Sequence, residues 1–323
     1  MKHVAPIWVH RYAVVTSLST LVLLGAGALV TGTGSGLAVP DWPLSYGQFF
    51  PRMVGGVLFE HGHRLVAGTV AILMIGLCLV LQVREPRRWV RNLAFVGVGA
   101  VLAQASLGGL TVLLRLPKQI SIAHACLAQL FFTITVLLAF STSKHWESHA
   151  VELEPESASV IPLRYLSAIV SLLFFYQLLM GATVRHFGAG LAITDFPTAF
   201  GGFLPPHFTF PIAIHFAHRM GAFALVLLVA VMAARVLRDH TNQLGLTALV
   251  GVLCGLVAIQ LFLGAMIVWM KRPIPVTTVH LMVGAMCLAT SVVISCRTFR
   301  LVWMGQGGAP RRDSAFSLQG EPA

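Results

Sequence analysis

Carboxylates are scarce in this chain: eleven Asp and Glu stand against twenty-two Lys and Arg, and charged residues fill only 10% of 323 positions. That poverty of charge, beside 57% hydrophobic residues, excludes an ordinary soluble domain and marks an integral membrane protein. Cysteine is sparse too. Cys78, Cys126, Cys254, Cys287 and Cys296 lie within or at the end of apolar segments and form no CxxC, which argues against disulfides and cysteine-bound metal. The net charge of +11 would suit a nucleic-acid binder. The basic residues, however, punctuate apolar runs and do not cluster with aromatics in a polar domain, so no nucleic-acid partner is expected. The first apolar run is too long for a signal-peptide core and more runs follow it, so no cleaved signal is expected.

What is present is a series of runs long enough to cross a bilayer, at 12–31, 61–83, 90–113, 120–142, 164–184, 212–236, 245–270 and 277–299. They predict an all-α, polytopic membrane protein of eight transmembrane helices. Fourteen Lys and Arg fall on one side of these runs and eight on the other, which places both termini in the cytoplasm. The stretch 143–163, with Glu147, Glu152, Glu154, Pro155 and Glu156, reads as a cytoplasmic linker. The expected organisation is an N-terminal four-helix repeat over 1–142, that linker, a C-terminal four-helix repeat over 164–300, and a disordered tail over 301–323.

The two long outer loops, about 32–59 and 185–211, carry an internal repeat. Gly34, Asp41, Trp42, Pro43, Gly47 and Pro51 recur 154 positions later as Gly188, Asp195, Phe196, Pro197, Gly201 and Pro205. His63-Arg64 matches His218-Arg219 at 155, while Gln104, Gly108, Pro117 and His124 match Gln260, Gly264, Pro273 and His280 at 156. Four helices per unit, an even number, insert both copies in the same sense, as parallel repeats.

Four histidines, His63, His124, His218 and His280, each lie near the start of an even-numbered helix, so their imidazoles share one depth near the outer face. Two per four-helix unit suit bis-histidine ligation of haem iron between helices. A tetrahedral zinc site is poorly served, because each half adds at most Glu60 or His215 to its pair. His61 reads as a lipid-interface or loop contact, and His186 and His207 as solvated loop residues. Arg64 and Arg219 either snorkel to lipid phosphates or pair with haem propionates. Glu60 alone among the acids stands at a helix entrance, three residues before His63, and its counterpart is His215. A carboxylate beside one site and not the other places chemistry in the first half, with a helix-capping role as the alternative.

With Ser35-Gly36-Leu37, Asp41-Trp42-Pro43, Glu60-x-x-His63-Arg64, His215-x-x-His218-Arg219, His124 and His280 in register, the chain resembles the haem A synthase family along nearly its whole length. The resemblance implies oxidation of a methyl substituent of haem O to a formyl group, giving haem A for cytochrome oxidase. It implies that His63 and His124 bracket the substrate haem O, that Glu60 takes part in catalysis, and that His218 and His280 ligate a resident haem b. It further implies a bacterial cell membrane, substrate supply by a haem O synthase, a role in cytochrome oxidase biogenesis, contact with membrane lipid, and self-association as a homo-oligomer. One departure stands out: many bacterial members carry a cysteine pair in the first outer loop, and this loop has none. The competing readings are a di-haem b-type cytochrome exchanging electrons with quinone, and a transporter.

Overall fold

The computed structural model describes residues 6–144, 146 and 161–307, of which 301–307 are described by their backbone alone. Eight helices, each long and apolar enough to cross a membrane, carry the described chain. They are α1 (Ile7–Gly32), α2 (Gly56–Arg84), α3 (Arg88–Leu113) and α4 (Lys118–Ser141), then α5 (Leu163–His186), α6 (Phe210–Asp239), α7 (Leu244–Trp269) and α8 (Ile274–Gly307). The protein is therefore all-helical and multi-pass, as its apolar runs predict. In lipid only a helix or a closed barrel satisfies every backbone polar group, and these runs carry the helical solution.

Proline sets several helix starts. Pro6, Pro117 and Pro162 are the residues directly before α1, α4 and α5, and Pro273 precedes Ile274 of α8. Proline fits there because the first helical N–H groups have no intrahelical acceptor. The tight turns into α4 and α8 each need two consecutive left-handed residues, Arg115 (φ 58) and Leu116 (φ 61), and Lys271 (φ 55) and Arg272 (φ 67). Their N–H groups close back on the preceding helix, from Leu116 to the Thr111 carbonyl at 2.7 Å and from Arg272 to the Ile267 carbonyl at 2.7 Å. The repeat at 156 is thus a repeat of backbone conformation.

Each half closes as a ring. α1 packs on α2 and α4, and α3 on the same two, leaving α2 and α4 as the diagonal pair; α5 to α8 repeat this with α6 and α8 diagonal. The buried apolar side chains gather towards the end of each ring opposite its long loop. In the first, Val9 and Ala13 meet Met74, Leu77 and Leu81 of α2, Val90 and Ala94 of α3, and Leu138 of α4. In the second, Leu163, Leu166 and Val170 meet Val229, Met232 and Val236, Leu246 and Val250, and Ile294. Dense packing at that end leaves the loop-side halves of α2, α4, α6 and α8 to carry the histidines.

The two rings join where α8 packs on α1 and α4, and α5 on α4. Small residues let these helices approach: Ala285 and Ala289 of α8 pack with Leu24 of α1 and Phe132 of α4, flanked by Ala128. A Cβ on Gly25 would sit 3.0 Å from the Met282 sulfur, so glycine is what admits that thioether.

Of the helix boundaries that differ from the sequence reading, two bear on the site and the tail. α2 begins at Gly56, which sets Glu60 and His63 inside the helix and not at its mouth. α8 runs to Gly307, so the tail expected from 301 is helical in its first residues. Most of the 143–163 linker, and the chain from 308 on, lie outside the described residues. Trp146 is buried between Trp89 and Phe140, with ring centroids 5.6 and 5.7 Å away.

Candidate functional site

The first outer loop is held from below by α2. Tyr46 (φ 54) and Gly47 (φ 69) make a left-handed turn closed by a bridge between Ser45 and Gln48. The turn aims two successive N–H groups at the Asp41 carboxylate, at 2.7 and 2.8 Å. These donors hold the Asp41 carboxyl below the usual carboxylate range. Arg64 then clamps the loop. One of its terminal nitrogens donates to the carbonyls of Asp41 and Leu44, both at 2.8 Å, and the other to Glu60 Oε1 at 2.8 Å. Glu60 is 4% exposed, and its second oxygen accepts the Val39 N–H at 2.8 Å. Beside it, buried His61 Nδ1 and the Ser45 hydroxyl are 2.8 Å apart. Glu60 therefore ties helix to loop, and its partnered charge is the condition on which a carboxylate is kept in so dry a place.

The second outer loop repeats the wiring with one substitution. Phe200 (φ 58) and Gly201 (φ 80) turn around Asp195, donating to it at 2.8 and 2.9 Å. With the Thr198 hydroxyl also donating at 2.7 Å, the Asp195 carboxyl is lowered to about 2, the Gly201 N–H contributing most. Arg219 donates to the Thr198 carbonyl at 2.9 Å and the Ile193 carbonyl at 3.2 Å. Where the first half has Glu60, the second has buried His215, approached by the Ile193 N–H and Arg219 Nε, each at 3.3 Å. A neutral imidazole has one acceptor lone pair, so only one of these contacts is a full hydrogen bond. The Trp42-Pro43 and Phe196-Pro197 peptides are cis in both loops.

The four repeat-matched histidines each rest on a glycine of a neighbouring helix. A Cβ built on Gly27 of α1 would lie 3.1 Å from His63 Cε1, and one on Gly108 of α3 would lie 3.1 Å from His124 Cε1. The second half repeats this with Gly181 under His218 at 3.1 Å and Gly264 under His280 at 3.4 Å. A side chain at Gly27, Gly108 or Gly181 would force the ring back by a few tenths of an ångström, whereas at Gly264 a Cβ would just reach contact. Glutamines complete three of the seats. The amides of Gln104 and Gln260 lie 3.4 and 3.3 Å from His124 and His280 Nε2, and that of Gln177 lies 3.1 Å from His218 Nδ1.

These seats fit an iron porphyrin. His63 and His124 come from one diagonal helix pair and His218 and His280 from the other, and imidazoles on facing helices of a bundle are the residues that would hold such a group. The Nδ1 atoms of His63, His124 and His280 are buried and have no hydrogen-bond partner among the described residues, and the Gln104 and Gln260 contacts are long enough for a better ligand to displace. Among the described residues no three His, Cys, Asp or Glu side chains come together to hold a metal ion. A metal between these pairs would bring its own equatorial ligands, as haem does.

The structure thus brings Glu60, His61 and Arg64 together at the first loop and seats His63 separately against α1. Arg64 and Arg219, expected at haem propionates or lipid phosphates, are placed as loop clamps. His61 is a buried loop contact. His186 is the last residue of α5 and partly buried, contrary to the solvated loop position expected for it. His207 lies in the outer loop, stacked on Phe200 at 6.1 Å. The sequence reading matched Gly108 to Gly264 without assigning them a task and passed over Gly27 and Gly181. The signal that would have found them is a glycine recurring at 154 on the helix preceding each histidine.

A match to the cytochrome oxidase assembly protein family covers residues 10–292. The haem A synthase of Symbiobacterium thermophilum is 32% identical over 213 residues, 64% of this chain and 68% of that relative. That of Shouchella clausii is 33% identical over 69% of this chain and 74% of its own. That of Alkalihalophilus pseudofirmus is 28% identical over 84% of this chain and 91% of its own.

Proposed function

Because the chain belongs to the haem A synthase family of cytochrome oxidase assembly proteins, we propose that it oxidises a methyl group of haem O to a formyl group in its first four-helix ring. The protein is an enzyme of haem A biosynthesis, and the reaction, its site and its resident haem are the reading argued here. The carrying observation is the set of four imidazoles, each on a glycine and carried by the diagonal helices of two rings, of which only the first has a carboxylate three residues before its histidine, Glu60 against His215.

On this reading His63 and His124 hold the substrate porphyrin by its iron. Taking a methyl to a formyl group is a four-electron oxidation that removes C–H protons and passes the electrons to an external one- or two-electron acceptor, so a proton acceptor beside the reacting carbon favours it. Glu60 is that acceptor. Two of the roughly four acceptor positions of its carboxylate are occupied, by Arg64 and the Val39 N–H, which orient it and leave room for a proton. Its negative charge also stabilises an electron-poor carbon in a low-dielectric pocket. The Arg64 clamp keeps the first loop over the outer end of α2 and sets where that carboxylate points. His218 and His280 would hold haem b, which supplies one-electron transfer when bound. The charge bias places both termini inside the bacterial cell membrane and both long loops outside, with haem O arriving from a haem O synthase. Reporter fusions in 143–163 that are active only on the cytoplasmic side support that orientation, and activity outside overturns it.

A pyridine haemochrome spectrum of haems extracted from the purified protein tests the reading. A-type or O-type haem beside b-type is expected. The b-type alone would indicate the di-haem electron carrier, which the relatives do not favour.

A further inference from the structure

The cations of the outer face are not evenly paired. Its three carboxylates are all engaged within the loops: Asp41 by Tyr46 and Gly47, Glu60 by Arg64 and Val39, and Asp195 by Thr198, Phe200 and Gly201. Arg185, at the outer end of α5, meets none of them. Its one hydrogen bond to the described residues is from Nη2 to the Ala28 carbonyl of α1, at 2.6 Å. A guanidinium has five N–H donors, so most of this one remains available to a ligand.

Its position is informative. Arg185 belongs to the second ring, yet Ala28 is the neighbour of Gly27, the seat of His63 in the first. The next residue, His186, is the last of α5. After it, Phe187 lies under the Lys118 ammonium at 4.5 Å, at the first residue of α4. The outer end of α5 thus brings cations to the mouth of the first ring, beside the seat of His63 and the start of α4, the helix that carries His124.

The repeat supplies the contrast. The counterparts of Arg185 and His186 at 154 are Thr31 and Gly32, and the counterpart of Lys118 at 156 is Ile274. There the outer end of α1 meets the second ring through an apolar contact, with a Cβ on Gly32 falling 2.9 Å from Ile274 Cγ2. At these three positions the junction is cationic over the first ring and uncharged over the second, whose own cations stand at Lys271 and Arg272 in the turn before α8, where the first ring has Arg115 and Leu116.

We propose that Arg185, with Lys118 beside it, anchors the propionate carboxylates of the porphyrin substrate in the first ring. The second ring thereby completes the substrate site of the first. The inference rests on the reading that the first ring binds haem O. Arg64, which has the same fork, holds the loop instead. A guanidinium matches a carboxylate with two parallel N–H donors, and in a site shielded from water such charge-assisted bonds are the strong ones. No cation faces the second ring from Thr31, Gly32 or Ile274; the cation added there is Arg272, whose Cδ lies 3.7 Å from a Cβ on Gly190.

The test is a Soret titration of the purified full-length protein, carried out with haem O and with haem O whose propionates are methyl esters. Arg185→Gln keeps an amide donor for Ala28 and removes the charge. It should weaken haem O binding by about tenfold while leaving the ester unchanged. Arg185→Lys, which keeps the charge, should recover part of the loss for the free acid only. His63→Ala sets the baseline for binding at this site. Equal weakening of acid and ester by Arg185→Gln would make the residue a structural tie, and no weakening of either would also overturn the anchor. A wild-type protein with no His63-dependent signal would bring down the substrate-site reading itself, and the anchor with it.

Discussion

Gly181→Ala puts the haem assignment of the second ring under direct strain. The added methyl would stand 3.1 Å from His218 Cε1, 3.7 Å from Nδ1 and 3.8 Å from Nε2. Carbon atoms prefer about 3.5–4.0 Å, so the ring has to retreat by about 0.5 Å, close to the tolerance of a working site. Gln177 limits the retreat, since its amide holds the His218 backbone carbonyl at 2.7 Å as well as the ring nitrogen. Overpacking of this kind costs about 1–3 kcal/mol, which is about fivefold to 150-fold in affinity if it falls on the haem-binding state. Helix propensity does not confound the result, because alanine is favoured over glycine by about 1 kcal/mol in a helix interior. The assay is b-type haem per protein after purification, followed by the rate at which haem passes to an excess of apomyoglobin. Gly255→Ala, where a Cβ meets nothing within 4 Å, is the control. Gly181→Ala should lose haem b and release the remainder faster, while Gly27→Ala should retain haem b and fail with haem O. Wild-type haem b content and release rate in Gly181→Ala would refute the seating argument.

Two further outcomes follow from the loops. Arg64→Ala leaves Glu60, whose side chain is 5% exposed, as an uncompensated buried charge, a change that typically costs about 3–5 kcal/mol. The thermal midpoint should fall and limited proteolysis should cut within 33–55, whereas Arg52→Ala in the same loop should do neither. For Asp195 the folded carboxyl titrates at about 2, below its ordinary value of 3.8. Its contribution to holding the second loop is thus fully present above about pH 3.8 and lost as pH falls towards 2. Hydrogen exchange at Phe200 and Gly201 should accelerate across that window in the wild type, and should already be fast at neutral pH in Asp195→Asn.

Much of this architecture is legible in the sequence because the membrane leaves the chain few options. Runs such as 90–113 and 245–270 match the observed α3 and α7 almost residue for residue, because length and hydropathy alone decide them. The start of α2 was placed too late because Gly56 to Glu60 lack the continuous apolar signal, although their backbone is already helical. The repeat offsets proved sharper than the helix ends. Asp41 and Asp195 hold their turns with the same pairs of N–H groups, so identity at 154 reports identity of hydrogen bonding. What sequence spacing hides is direction. Glu60 and His63 share a helix face by their separation, yet the carboxylate turns to Arg64, four residues on, and to a loop N–H twenty-one residues back. Arg185 was invisible for a different reason. Its contact with Ala28 spans 157 residues and joins two repeats, and only the packing of the rings brings that about.

The central claim is that one ring transforms haem while the other holds it, the difference lying at one matched position, Glu60 against His215. The measurement that reaches it most directly is the composition of haems extracted from cells carrying Glu60→Gln and, separately, His215→Gln. Glu60→Gln should keep b-type haem near the wild-type level while haem A falls and haem O accumulates. His215→Gln should alter the spectrum or potential of the b-type haem and leave haem A production largely intact. Wild-type haem A from Glu60→Gln, or haem O accumulating in His215→Gln alone, would contradict the account.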